Sequence, residues 1–147
     1  MAEIFPDEGI DYIHGIFPKN GANIATLYCG LFTSQTASTV AARTATGGAV
    51  PSGWTEANFT SYVRQSIAAA SWGAPATNGN GRKITATQVA FPAAGSAQTV
   101  NGFFIATNSA SGAGDTIIYF ANFDDVTANA LGVNDIQKVT PSMQFDG

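Results

Sequence analysis

Proton-transfer catalysis needs a base held at a fixed point, and this 147-residue chain offers a single histidine, His14, between Ile13 and Gly15. A Ser-His-Asp or Cys-His arrangement would have to use it. Pro6 and Pro18 interrupt the surrounding segment, so a base there would be poorly held, and His14 reads as an ordinary packing contact. The single cysteine, Cys29, sits in the apolar run Ile24 to Phe32, which carries no positive charge to stabilise a thiolate, so it reads as a buried inert thiol. Zinc needs three or four nitrogen, sulfur or carboxylate ligands, and this shortage of His and Cys leaves none to assemble. Asp124-Asp125, with Asp115 or Asp135 nearby, is the one acidic group that could serve a calcium loop. It lacks the alternating spacing and closing glutamate of a helix-loop-helix site and reads as a solvated turn. Nothing in the spacing of these acids selects two of them for glycoside hydrolysis. Gly79-Asn80-Gly81 and Gly112-Ala113-Gly114 begin like phosphate-binding patterns, but Ile84 and Ile117 stand where the third glycine belongs. Both read as hairpin turns. No catalytic, cofactor-binding or metal residue is therefore expected, no cofactor is implied, and the chain is not expected to be an enzyme.

The elements that would position any site are short and β-like. Residues 24–33 form the first convincing strand, and 34–53 read as a long exposed loop ending in Gly47-Gly48 and Pro51-Ser52-Gly53. Trp54–Phe59 fits one helical turn, followed by a strand near Ser61–Trp72 whose Ala68-Ala69-Ala70 run favours helix. Asn78-Gly79-Asn80-Gly81 is the strongest turn signal, since Asn and Gly tolerate the positive φ of tight hairpins. Strands are expected at Ile84–Phe91, Thr99–Thr107, Thr116–Phe123, around Val126–Ala128 and over Ile136–Phe145. The pattern describes an all-β fold, an antiparallel β-sandwich or barrel-like domain of about seven short strands. Residues 1–22 differ, interleaving four acids with Ile4, Phe5, Ile10, Tyr12, Ile13, Ile16 and Phe17. They read as an N-terminal arm that docks on its own domain or on a neighbour, leaving 23–147 as the β domain.

Charged residues make up 11% of the chain, against about 25% in typical soluble domains. A small-polar exterior is cheap to desolvate, which suits faces meant to be covered by neighbours. The formal net charge is −4 and Lys19, Arg43, Arg64, Arg82, Lys83 and Lys138 are scattered in sequence, which argues against nucleic acid as a partner. No run approaches the roughly 20 apolar residues of a membrane span, so no membrane partner is expected. The acidic, proline-containing start is unlike a secretion signal, and synthesis and folding in a cytoplasm are the expectation.

The order of several segments is distinctive: Leu27-Tyr28-Cys29-Gly30-Leu31-Phe32-Thr33, then Trp54-Thr55-Glu56-Ala57-Asn58-Phe59-Thr60-Ser61-Tyr62-Val63-Arg64-Gln65, then Trp72, then Val89-Ala90-Phe91-Pro92-Ala93-Ala94. Across about residues 24–125 this resembles a group of small virion proteins of tailed bacteriophages, with Ser61 in place of their usual glycine before the tyrosine. The resemblance implies a head decoration (cement) protein on the outer surface of the capsid, bound to the major capsid protein and to itself as a homotrimer. In that reading Ile4, Phe5, Ile10, Tyr12, Ile13, Ile16 and Phe17 are the anchors of capsid or subunit contact. The alternatives are a phage tail, baseplate or fibre component, or a carbohydrate-binding β module using Trp54, Trp72 and Tyr62 as stacking platforms.

Overall fold

The computed structural model of the chain describes residues 3–4, 9, 25–35, 50, 54–79, 81–123 and 129–145. Their architecture is all-β, with every strand pairing antiparallel. The longest strand is β2 (Thr26–Gln35), preceded by β1 (Glu3–Ile4) and followed by β3 (Trp54–Glu56) and β4 (Gln65–Ala68). Along one edge β2 pairs with β9 (Gly102–Ala106), and along the other it pairs first with β4 and then with β3. β10 (Ile117–Asn122) pairs with the far side of β9, and β1 pairs with β10, aligning Ile4 with Phe120. Smaller ribbons complete the fold. β5 (Ala76–Asn78), β6 (Gly81–Thr85) and β13 (Ser142–Phe145) form one; β7 (Val89–Ala90) pairs with β12 (Lys138–Val139), and β8 (Gln98–Val100) with β11 (Asn129–Leu131).

Side chains alternate across the main sheet, so each face carries its own core. One face presents Cys29, Leu31, Phe103, Ile105 and Tyr119, packed with Phe91, Val100, Leu131 and Val139 from the smaller ribbons. The other gathers Phe32, Trp54, Phe104, Ala106, Ile117 and Phe120. All five residues of β9 are buried, as expected of a strand covered on both sides. A bulge between Ile117 and Tyr119 lets Ile118 and Tyr119 both enter the first core while Ile117 and Phe120 serve the second. Two cross-strand pairs fix the close approach of β2 to β9: Gly30 faces Phe104 and Phe32 faces Gly102. In each, the phenylalanine ring occupies the space that a glycine Cβ would need.

The all-β expectation stands, but the detailed segmentation differs. Thirteen short strands are described rather than about seven, because several expected spans are broken. Ile84–Phe91 splits into β6 and β7, and Thr99–Thr107 into β8 and β9. Trp54–Glu56 is strand, not a helical turn: the Trp54 ring packs 4.5 Å from Phe32 and 4.6 Å from Phe120, centroid to centroid, and this packing overrides local preference. The Ser61–Trp72 span yields strand only over β4, and the alanine run continues as a short 3-10 turn, Ala69–Ser71. The Asn78–Gly81 hairpin forms as read, with Asn78 opposite Gly81 and Gly79 at φ 57°. Asp124, Asp125 and the Val126–Ala128 segment lie outside the described residues.

Candidate functional site

The residues of the distinctive segments converge in space. Arg64 donates from Nε and Nη2 to the two carboxylate oxygens of Glu56, at 2.8 and 2.9 Å. Its Nη1 donates to Asp115 Oδ2 at 2.7 Å and to the Asn108 carbonyl at 3.1 Å. The guanidinium also lies 4.9 Å from the Phe104 ring centroid, a cation–π contact. Asp115 is held in turn by the Asn108 amide at 2.8 Å and the Thr107 hydroxyl at 3.2 Å. Tyr62 donates to Glu56 Oε1 at 2.9 Å and accepts from the Leu31 amide at 3.0 Å, while its ring stacks on Phe91. Glu56 sits in β3, Arg64 just before β4 and Asp115 just before β10, so the cluster ties three strands together.

Electrostatically this cluster is locked. Burial alone would lower the Arg64 pKa, but its hydrogen bonds to Glu56 and Asp115 outweigh it and hold the guanidinium firmly charged. Burial, and then the Glu56 charge, push the Tyr62 phenol well above its ordinary range, so it stays neutral. Burial likewise pushes the Cys29 thiol up. A proton bound more tightly in the folded state than in the unfolded chain stabilises the fold fully below the unfolded pKa, and that stabilisation is lost as pH rises. Unfolding titrations should therefore show stability declining from about pH 8.5, where free cysteine ionises, and further beyond about pH 10, where free tyrosine does. Native Cys29 should react with thiol reagents only as fast as the chain unfolds.

The turn Phe59–Tyr62, closed by the Tyr62 amide on the Phe59 carbonyl at 2.8 Å, places Ser61 at φ 79°. A positive φ at the third turn position favours glycine. Ser61 is held there by its hydroxyl, which donates to the Ala93 carbonyl at 2.6 Å. Ser61→Gly should raise stability by about 0.5–1 kcal/mol in urea unfolding, the relieved backbone outweighing the lost exposed hydrogen bond.

Around this turn three loops are laced together by backbone hydrogen bonds. The Gly95 amide donates to the Thr60 carbonyl at 2.9 Å, the Ala94 amide to the Asp135 carbonyl at 2.9 Å, and the Asn134 amide to the Ala94 carbonyl at 2.7 Å. The loops that meet here carry Val63, Val133 and Ile136, the exposed large hydrophobics among the described residues, at 55, 58 and 53% exposure. Sequence reading missed them because single valines and isoleucines in loops carry no periodic signal. Of the expected N-terminal anchors, Ile4 lies in β1, whose backbone docks on the chain's own β10. Gly9 is buried against the same strand, where a Cβ would stand 2.6 Å from the Ile118 carbonyl oxygen. Phe5, Ile10, Tyr12, Ile13, Ile16, Phe17 and His14 lie outside the described residues.

Trp54 and Tyr62 spend their rings on Phe32, Phe120 and Phe91, and Trp72 packs against the first core, which leaves little for a sugar platform. Among the described residues no three His, Cys, Asp or Glu side chains are grouped to hold a metal ion, and no helix is long and apolar enough to cross a membrane. Three of the cations are less scattered than the sequence suggested. Lys83 and Lys138 line one cavity of about 350 Å³, and Lys83 with Arg82 lines a second of about 260 Å³. Compared with known protein families and with curated proteins, the chain matches none.

Proposed function

We propose that this chain is a capsid decoration protein of a tailed bacteriophage, binding the outer surface of the head through apolar and weakly polar faces and bridging neighbouring capsid subunits as a homotrimer. The observation that carries the reading is the convergence of the segments on which the resemblance rests. Leu31, the Glu56–Arg64 segment with Tyr62, and Phe91, three stretches distant in sequence, form one hydrogen-bonded and stacked unit. Residues of that kind recur together when a fold depends on them. The position where the resembling proteins carry glycine also has the positive φ that glycine suits. The saturated bonding of the Arg64 cluster favours a structural role for it, and the exposed Val63, Val133 and Ile136 supply apolar surface whose burial would stabilise an assembly. A trimer seated at a symmetric junction would add several such weak contacts into a lasting grip.

The test is to mix the purified protein with undecorated phage heads and measure adsorption by sedimentation, alongside its mass in solution. The expected result is a trimer that adsorbs and raises the temperature at which heads rupture. Val63→Glu, Val133→Glu and Ile136→Glu change exposed side chains, so each should fold normally and lower adsorption or trimer formation by about tenfold or more. An inert monomer, or variants that adsorb as well as the parent, would refute the reading.

A further inference from the structure

The main sheet closes on a strand that is unsuited to be an edge. β10 reads Ile117-Ile118-Tyr119-Phe120-Ala121-Asn122, without charge, proline or glycine, and all but its last residue are buried. Such a segment, left as a free edge, is a template for pairing with another chain. At the opposite edge of the sheet β3 is three residues long and carries Glu56, and β4 is four residues long, so both are blunted. Beside β10 the guard is β1, which among the described strands alone lies outside it. The register shows what β1 covers. The Phe123 amide donates to the Asn101 carbonyl, so Tyr119 and Ala121 bond to β9 while Phe120 turns its N–H and C=O outward. Ile4 stands opposite Phe120 and takes up both. Farther along, Gly9 lies against the Ile117–Ile118 backbone so closely that a Cβ would stand 2.6 Å from the Ile118 carbonyl oxygen. We propose that β1 and Gly9 form a strap that guards β10, and that displacing it opens a latent interface where β10 pairs antiparallel with β10 of a second copy of the chain. A second copy fits this edge because Phe120 presents both a donor and an acceptor, and the uncharged side chains bring no like-charge repulsion to a self-complementary contact.

The device does not rest on the capsid reading, since it concerns the backbones of β1, Gly9 and β10. The experiment compares the full chain with two strap variants: Ile4→Pro, which removes the N–H facing Phe120, and Gly9→Val, which cannot approach Ile118. Gly30→Ala, which disturbs the core and leaves the strap intact, is the control for general destabilisation. In dilute solution, amide hydrogen exchange at Phe120 should quicken about tenfold in the strap variants, roughly the worth of one hydrogen bond. Tyr119 and Ala121, bonded to β9, should keep their protection. On concentration the strap variants should reach at least twice the parent's mass in sedimentation, with Phe120 protected again, while the parent and Gly30→Ala keep theirs. Strap variants that hold the parent's mass at every concentration, equal self-association by Gly30→Ala, or protection lost alike at Phe120, Tyr119 and Ala121 would each overturn the proposal.

Discussion

Arg64→Ala is expected to lower the unfolding free energy by about 3–5 kcal/mol, the range for removing one partner of a buried ion pair. The Arg64 side chain is 1% exposed and that of Asp115 is fully buried, so the variant leaves the Asp115 carboxyl buried with no guanidinium beside it. Glu56, at 24% exposure, recovers part of its hydration and adds less. The measurement is urea unfolding of Arg64→Ala, Asp115→Asn and the double variant. Because the two side chains act as a unit, the double variant should cost clearly less than the sum of the single losses. Strict additivity would mean that the cluster does not hold the three strands together as described.

Gly30→Ala and Gly102→Ala are expected to destabilise for related reasons but to respond differently to compensation. In Gly30→Ala the new methyl group meets only the end of the Phe104 ring, whereas in Gly102→Ala it meets the Ala121 backbone carbonyl as well as the Phe32 ring. Overpacking a filled core costs about 1–3 kcal/mol and sometimes more. Trimming the obstructing side chain, Phe104→Leu, should restore much of the loss in the Gly30→Ala background. The matching change Phe32→Leu should not rescue Gly102→Ala, since a backbone oxygen cannot be trimmed, and this variant should show the larger loss. Calorimetric midpoints of the single and paired variants decide the matter; equal rescue at both sites would contradict the register of β2 against β9.

How much of this was legible in the sequence follows from the range of the forces involved. The Asn78–Gly81 hairpin is set by its own four residues and could be read directly. The apolar density of Phe103-Phe104-Ile105 announced a strand for the same local reason. Trp54 was misread because what decides its conformation lies in β2 and β10, not beside it in the chain. Asp115, the buried partner of Arg64, stands 51 positions away, and no periodicity links the two. Lys83 and Lys138 looked scattered for an equivalent reason: β6 and β12 are brought to one cavity only once β13 and β7 have paired with them. Isolated signals fixed turns and strands, while every cluster with a chemical character depended on pairings between remote segments.

The placement of β1 bears on how the molecule is made. Glu3 and Ile4 are synthesised more than a hundred residues ahead of their pairing strand, β10. Until then the opening segment has no sheet to join, and β2 likewise waits for β9. Such remote pairings delay folding until most of the polypeptide has emerged. In that interval the β1 strand of one nascent chain is open to capture by another, or by a chaperone, before it reaches its own sheet.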